Sequence, residues 1–310
     1  MTAPNRETVN FASRGINIVA HLYTPPPGAP DRKKAGIVVG HPGTGVKEQT
    51  AGLYARLLAA AGFITLAWDA AYQGESGGEP RGLEDPSQRA EDARSAVTYL
   101  ATHPQQIVDP ERIGALGICA SGGYVSFAAQ TDQRIKAVAT VSAACFGAAT
   151  RDGVPGAEHD RATLKTILAS IAGDRSAEAR GEAPRSVHIL ADKLEDLPPG
   201  APGNLREGVD YYKTPRGAHP RSTNRQLARS AELLANYSSF AFMDLISPRP
   251  LLMIVGEKAD TRGHSEVAFS KALEPKELFW VKGQTHVGLY DDTSVSVPKL
   301  VEFMGNALSQ

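Results

Sequence analysis

Apolar residues in the first part of the chain recur at every second position. Ile16, Ile18, Ala20 and Leu22 follow this alternation, which predicts a β-strand with one buried face. The segment 7–12 predicts another strand just before it. Because only a few residues separate the two, we expect an antiparallel pair with one face exposed to water.

From Ala35 onward, short continuous apolar runs alternate with longer stretches that show helical spacing. The runs predict strands at 37–39, 63–68, 112–118, 136–141, 250–256 and 277–281. The stretches between and after them predict helices at 46–61, 88–100, 122–131, 265–273 and 298–308. Such alternation is typical of right-handed β–α–β units. The sequence therefore predicts an α/β fold with a mostly parallel, twisted sheet and helices on both faces.

The segment 146–247 does not continue this alternation. It is rich in proline and in charged residues, and helical spacing occurs only near 162–172 and 224–235. A structureless loop of about 100 residues is implausible inside a compact domain. We therefore predict a core formed by 1–145 and 248–310, with a mainly helical cap inserted over the carboxyl-terminal edge of the sheet.

The most informative chemical signal is a group of very small residues at 117–123, between a predicted strand and a predicted helix. A nucleophile elbow needs such a sharp turn, with small residues two positions before and after the nucleophile. Gly117 and Ser121 flank Cys119 in this way. A competing frame makes Ser121 the nucleophile, between Cys119 and Gly123, but it has no glycine two positions before. A phosphate-binding loop is a third alternative, and its glycine pattern is absent.

The glycine-rich loop 41–45 follows the first buried strand of the predicted parallel sheet. An oxyanion hole needs two backbone N–H groups, one from the residue after the nucleophile and one from this early loop. Ala120 would supply the first N–H group, and Gly43 or Thr44 the second. The alternative is an ordinary tight turn.

A histidine and an acid follow later strands. Asp260 comes shortly after the strand 250–256, and His286 lies in the loop after the last strand. The carboxyl ends of parallel strands share one edge of the sheet, where sites form. The order of nucleophile, acid and histidine is that of α/β-hydrolases. Glu257 is the reserve acid, and His264 is expected to be a surface residue.

Charge and composition exclude several classes of protein. The chain has 33 Lys and Arg against 34 Asp and Glu, a net charge of −1. This balance provides no broad cationic surface for nucleic acid or an anionic membrane. No run approaches the about 18 apolar residues of a membrane-spanning helix. We therefore expect neither nucleic acid nor membrane as a partner.

Cysteine and histidine usage gives further expectations. Cys119 and Cys145 are too few for a disulfide framework and are typical of a reducing compartment. The N-terminal residues 1–7 show no apolar signal segment, so we expect a cytoplasmic protein. The eight histidines lack the spacing of a zinc site, and we expect no metal and no cofactor.

Several longer stretches make the sequence similar to a known family. They read HPGTGVKEQ at 41–49, DAAYQGES at 69–76, GICASGG at 117–123, SPRP at 247–250 and HVGLYD at 286–291. The chain resembles the α/β-hydrolase superfamily, in particular the dienelactone-hydrolase-like branch that includes fungal polyketide transferases. The resemblance implies Cys119 as nucleophile, Asp260 as acid and His286 as base. It also implies oxyanion donors around Gly43–Thr44 and at Ala120.

These residues and the resemblance together predict acyl transfer from an ester, lactone or thioester to water or another acceptor. The intermediate would be a thioester on Cys119. We expect the pKa of that thiol to fall beside an imidazolium and at a helix N-terminus. The alternative function is that of a catalytically inactive small-molecule binding protein with the same fold.

The expected partner is a small-molecule acyl substrate, for which an acyl carrier protein is a candidate carrier. A homodimer is the candidate assembly. Aromatic and polar residues of the active-site face and the cap are candidates to line the substrate pocket; they are Tyr72, Gln73, Tyr211 and Tyr212.

Overall fold

The computed structural model describes residues 3–154 and 157–309. Met1 and Thr2 of the N-terminal segment, which sequence analysis found to lack an apolar signal, lie outside the described residues. The same holds for Pro155 of the predicted cap and for Gly156 and Gln310.

The core of the described structure is an eight-stranded sheet. Its strands are β1 (Asn5–Ser13), β2 (Ile16–Thr24), β3 (Gly36–Gly40), β4 (Ile64–Trp68), β5 (Ile113–Ile118), β6 (Ile135–Val141), β7 (Leu251–Gly256) and β8 (Lys276–Val281). They are ordered β1-β2-β4-β3-β5-β6-β7-β8. β2 runs antiparallel to both β1 and β4, and all other neighbours are parallel. The predicted antiparallel pair and parallel sheet are confirmed.

Helices follow the strands of this sheet. They are α1 (Thr50–Ala60), α2 (Pro86–Ala101), α3 (Ala120–Ala129), α4 (Phe146–Asp152), α5 (Arg161–Ala179), α6 (Gly203–Lys213), α7 (Ser230–Ala235), α8 (Arg262–Lys271) and α9 (Ser296–Ala307). Two apolar cores form, one with Leu58 and Met304 from α1 and α9, the other with Val97 and Ala268 from α2 and α8. Helices therefore cover both faces, as predicted. None of the described helices is both long enough and apolar enough to cross a bilayer.

Some helix boundaries differ from the prediction for local reasons. The helix predicted at 46–61 begins only at Thr50, because Val46 and Gln49 form a turn in which the Gln49 side chain accepts from the Val46 N–H group. The helix predicted at 122–131 begins at Ala120, directly after the elbow residue. Asp85 caps α2 by accepting from the N–H groups of Ser87 and Gln88, and Pro86 occupies the first turn.

No described strand of the segment 146–247 joins the eight-stranded sheet. The segment contains α4 to α7, short strands at Gly153–Val154, Ala157–Glu158, Ser186–His188 and Arg225–Leu227, and 3₁₀ turns at Leu194–Asp196 and Met243–Ile246. The helix predicted near 162–172 is α5, which is longer. The helix predicted at 224–235 is wrong in its first half, which is a strand paired with Ser186–His188. The cap assignment itself stays a prediction.

A buried tyrosine attaches the loop after β8 to the core. Tyr54 of α1 has no exposed surface, and its hydroxyl donates to the carbonyl oxygen of Leu289 at 2.7 Å. The same hydroxyl lies 2.7 Å from Oγ of Ser296, at the start of α9. Buried polar groups are costly unless they are paired, so these contacts fix the position of the loop that carries His286.

We predict that Tyr54→Phe lowers the free energy of unfolding by about 1–3 kcal/mol, because two buried polar groups lose their partner. Urea denaturation at constant pH measures the change. Tyr99→Phe is the matched control, since the described structure gives the half-buried Tyr99 ring contacts but no hydroxyl hydrogen bond. Equal stability of the two variants would contradict the anchoring role.

Candidate active site

Cys119 lies at the sharp turn between β5 and α3. Its backbone is left-handed, with φ 53° and ψ −117°, and its N–H group donates to the carbonyl oxygen of Val141. A Cβ atom on Gly117 would lie 2.1 Å from the carbonyl oxygen of Ser121. The turn can therefore form only with glycine at position 117. This geometry is that of the predicted nucleophile elbow.

Ser121, the alternative nucleophile, is turned away from the site. Its hydroxyl donates to the carbonyl oxygen of His41 at 2.6 Å and accepts from Nη2 of Arg89 at 3.2 Å. It is buried and does not line the cavity in which Cys119 lies. The geometry thus favours Cys119 as the nucleophile, with Ser121 supporting the neighbouring loop.

Two backbone N–H groups face the sulfur of Cys119, those of Ala120 and Gly43. These are two of the three predicted oxyanion donors. A Cβ atom on Gly43 would lie 2.4 Å from the ring of Phe146, so only glycine fits here. Thr44 has a different position: its hydroxyl accepts from Nδ2 of Asn224 and its carbonyl oxygen from the hydroxyl of Ser222. Thr44 therefore connects the loop to the segment 146–247.

A buried arginine that sequence analysis missed holds this loop. Arg89 of α2 donates to the carbonyl oxygen of His41 at 2.9 Å, and its Nε lies 3.3 Å from the buried carboxylate of Glu84. The His41 ring accepts from the Ala70 N–H group through Nε2 and contacts the Pro42 carbonyl oxygen through Nδ1. Burial, and then Arg89, hold the pKa of His41 well below its usual value, so this ring stays neutral.

The hydroxyl of Tyr290 lies between the thiol and the imidazole. It hydrogen-bonds the sulfur of Cys119 and lies 3.1 Å from Nε2 of His286. The other ring nitrogen, Nδ1, is 2.5 Å from Oγ1 of Thr261. Sequence analysis missed both Tyr290 and Thr261. The available signal was the position of Tyr290 four residues after His286, within a stretch already matched to the family.

Asp260 does not contact His286 in this structure. Its Oδ2 accepts from the N–H group of Asn204 at 2.9 Å, in the first turn of α6. Thr261, the next residue, occupies the position at Nδ1 that was predicted for the acid. The reserve acid Glu257 is exposed and accepts from the Gly283 N–H group. The predicted hydrogen bond between Asp260 and the imidazole is thus replaced by one from a hydroxyl.

Burial determines the charge states of Cys119 and His286. It raises the pKa of the Cys119 thiol, although the Tyr290 hydroxyl and the two N–H groups act in the opposite direction. It lowers the pKa of His286 to about 4, with a further contribution from His264. No carboxylate contributes to that shift. The expectation of a lowered thiol pKa is therefore wrong for this state, in which both groups are neutral at pH 7.

The sulfur opens into a cavity of about 150 Å³, the acyl cavity. Its walls are mainly apolar and come partly from the segment 146–247, through Phe146, Ala149, Ile189, Leu190, Leu205, Gly208 and Tyr212. His264 also lines it, so the expectation that this residue lies on the surface is wrong. Of the four predicted pocket residues, Tyr212 lies here. Tyr211 packs edge-on against Tyr212 and Tyr290.

The other two predicted pocket residues, Tyr72 and Gln73, line a separate cavity. Nearby, the carboxylates of Glu48, Asp69 and Glu75 lie close enough together to hold a metal ion. The ammonium group of Lys47 already lies 2.8 Å from Asp69, 2.8 Å from Glu48 and 2.5 Å from Glu75. This lysine supplies the positive charge that such a cluster needs.

Comparison with known proteins finds similar proteins over most of the chain. A crystal structure of a hypothetical protein from Pseudomonas aeruginosa matches with a TM-score of 0.92 and 35% identity, over 99% of this chain and 95% of that chain. A polyketide transferase of Gibberella fujikuroi is 27% identical over 261 residues, 77% of this chain and 79% of its own. A thiohydrolase of Eupenicillium brefeldianum is 27% identical over 289 residues, 91% of this chain and 87% of its own.

Residues 18–177, which include the elbow and the glycine-rich loop 41–45, the predicted oxyanion loop, match the dienelactone hydrolase family. The match covers more than half of the chain, and the resemblance found in the sequence is confirmed. The chain belongs to the dienelactone hydrolase family and is an α/β-hydrolase of the type that acts on ester and thioester bonds.

Proposed function

We propose that the protein transfers an acyl group from an ester or thioester through a covalent thioester on Cys119. The observation that supports this most directly is the surroundings of the sulfur. It lies at an elbow, faces the N–H groups of Gly43 and Ala120, and hydrogen-bonds Tyr290 at the end of the acyl cavity. Nucleophile, oxyanion donors and a route for the proton thus meet at one point.

In the first half-reaction the sulfur attacks the acyl carbon, and the carbonyl oxygen becomes an oxyanion between the two N–H groups. The thiol proton passes to the oxygen of Tyr290, while the Tyr290 hydroxyl proton passes to Nε2 of His286. The tetrahedral intermediate then collapses, the bond to the leaving oxygen or sulfur breaks, and His286 returns the proton to it. In the second half-reaction water or an alcohol loses its proton along the same route and attacks the thioester. Cys119 is released as the thiol.

Proton transfer creates an imidazolium in a fully buried place, where an unpaired charge is costly. We propose that Asp260 then leaves the Asn204 N–H group and pairs with His286, which restores the predicted triad. The position of Asp260 supports this move, because Asp260 directly precedes Thr261, the residue that already contacts Nδ1 of His286. The pKa of His286 would rise from about 4 in the free enzyme once this carboxylate is beside it.

We further propose that the segment 146–247 acts as the cap and keeps bulk water from the acyl-enzyme. Phe146, Leu190 and Leu205 line the same cavity as Cys119. Excluding water slows hydrolysis of the thioester and gives another acceptor time to react. The small volume of the acyl cavity favours a short acyl group, and butyryl esters are suitable probes.

We predict that Cys119→Ala abolishes turnover of p-nitrophenyl butyrate and removes the butyryl adduct seen by intact-mass spectrometry after a rapid quench. Cys145→Ala is the control, because the described contacts of its buried thiol are hydrogen bonds from the N–H groups of Ala148 and Ser239, outside the acyl cavity. Ser121→Ala should still form the adduct. An adduct that persists without Cys119 would contradict the assignment, and a folded wild-type protein without turnover or adduct would favour the binding-protein alternative.

We predict that Tyr290→Phe lowers kcat/KM by about 10²–10⁴, the usual contribution of a proton-transfer group. The phenylalanine keeps the ring packing but removes the oxygen between the thiol and the imidazole. Tyr211→Phe is the control, since Tyr211 touches Tyr290 through its ring only. Wild-type activity in Tyr290→Phe would show that His286 takes the proton from Cys119 directly.

The pH profile tests the recruitment of Asp260. His286 acts as a base only when neutral, and with no carboxylate beside it the ring becomes protonated only at about pH 4. We therefore predict an acid limb of kcat/KM above pH 4 in the wild type, because protonation draws Asp260 to the imidazolium and raises the pKa, and a limb near 4 in Asp260→Asn. Identical acid limbs in the two proteins, with circular dichroism showing a folded protein throughout, would contradict the recruitment of Asp260.

A further inference from the structure

A second cavity lies beside the oxyanion loop. It has a volume of about 330 Å³, and Thr44 borders both this cavity and the acyl cavity. Three arginines line it, Arg81, Arg221 and Arg225, and none of the described carboxylates does. We call it the arginine cavity. The reaction as described so far uses none of these three side chains.

The positive charge at the arginine cavity is not fully neutralised. The guanidinium of Arg81 donates to the carbonyl oxygens of Gly74, Ser76 and Gly78, which fix it in place without an opposite charge. Arg225 makes no side-chain hydrogen bond or ion pair in the part of the chain that the structure describes. Its charge is a minor cause of the lowered pKa of Asp192, for which Lys213 is the main cause.

Arg221 differs from the other two arginines, because it is paired. It contacts Glu48 at 2.6 Å and Glu75 at 3.3 Å, within the carboxylate group that also surrounds Lys47. This network forms a charged boundary to the cavity and positions the loop around residue 221. An anion in the cavity would therefore contact Arg81 and Arg225, whose side chains have no carboxylate partner among the described residues. It would also lie near Arg221, which is already paired with carboxylates.

The backbone of the cavity wall is strained. Thr44 has φ 56° and Tyr72 has φ 68°, left-handed values that residues other than glycine rarely adopt. Such residues concentrate at ligand sites, where the surrounding structure holds them in place. Tyr72 is held by its N–H group, which donates to the carbonyl oxygen of Gly77, and by its carbonyl oxygen, which accepts from Gly82.

We propose that the arginine cavity binds a phosphate group carried on the leaving-group side of the acyl substrate. Guanidinium groups match phosphate oxygens in geometry and charge. The substrate class would then be a thioester of a phosphorylated thiol such as 4′-phosphopantetheine, either within coenzyme A or on a carrier. This inference rests on the proposed function, since it takes Cys119 as the acceptor of the acyl group. Thr44 lines both cavities, so the phosphate and the acyl end of one ligand would lie on either side of it.

The test compares butyryl-pantetheine with butyryl-4′-phosphopantetheine, two thioesters that differ by one phosphate. We expect the phosphorylated substrate to have a kcat/KM about tenfold higher or more, as for a hydrogen bond to a charged group. In Arg225→Gln the ratio of the two values should fall toward one. Arg180→Gln is the control, because Arg180 is exposed, pairs with Glu182 and lies outside both cavities.

Butyryl-CoA identifies which part of the ligand is recognised. Equal kcat/KM for the CoA and phosphopantetheine thioesters supports recognition of the shared phosphate. A kcat/KM that is raised for butyryl-CoA but not for butyryl-4′-phosphopantetheine would overturn the inference. It would also be overturned if butyryl-pantetheine and butyryl-4′-phosphopantetheine had equal kcat/KM, or if the ratio of these two values were unchanged in Arg225→Gln. In each of these cases turnover itself leaves the proposed function in place.

Binding is measured separately, so that the two proposals can fail independently. Isothermal titration calorimetry of the wild-type protein with 4′-phosphopantetheine and with pantetheine needs no turnover. Binding of the phosphorylated compound alone, weakened in Arg225→Gln and kept in Arg180→Gln, supports the cavity even if no thioester is cleaved. If neither compound binds and no thioester is cleaved, both proposals are overturned.

Discussion

The left-handed backbone at Cys119 is the constraint on which the rest of the site depends. A non-glycine residue in this conformation costs about 1–3 kcal/mol and needs surroundings that hold it there. β3 and β5 are parallel neighbours, with Gly40 paired to Gly117, so the loops after both strands leave the sheet at the same edge. The turn therefore brings the sulfur and the Ala120 N–H group next to Gly43.

A buried network supports the loop from the other side. The carboxylate of Glu84 lies beside Nε of Arg89 and accepts from Tyr124 and Gln73. A buried ion pair is a weak source of stability, because desolvation offsets most of the attraction. The ion pair instead positions Arg89, which donates a hydrogen bond to the carbonyl oxygen of His41 in the loop. Gln73 also lines the arginine cavity, so that cavity is connected to the loop at His41 through three side chains, Gln73, Glu84 and Arg89.

The sequence was sufficient to predict the sheet, its antiparallel start and the elbow, because each depends on neighbours in the chain. The hydrophobic periods specify strands and helices, and the small residues around Cys119 leave few alternatives for the turn. The contacts of Tyr290, Thr261 and Arg89 could not be predicted, since they join distant segments and depend on side-chain direction. In the segment 146–247 the prediction found α5 but missed α6. It assigned Arg225–Leu227 to a helix, because the pairing of this strand with Ser186–His188 joins residues that are far apart in the chain. A homodimer and a cytoplasmic location remain predictions.

The position of Asp260 follows from a competition between two partners. In the resting state His286 is neutral and attracts a carboxylate only weakly. The Asn204 N–H group, in the first turn of α6, donates a hydrogen bond to Asp260. A helix N-terminus stabilises a nearby carboxylate by about 0.3–1 kcal/mol. Leaving a buried charge without its partner costs about 3–5 kcal/mol, so protonation of His286 makes pairing with the imidazolium the more favourable contact for Asp260. In the proposed mechanism Asp260 would thus hold the segment 146–247 in one state and the imidazolium in the other.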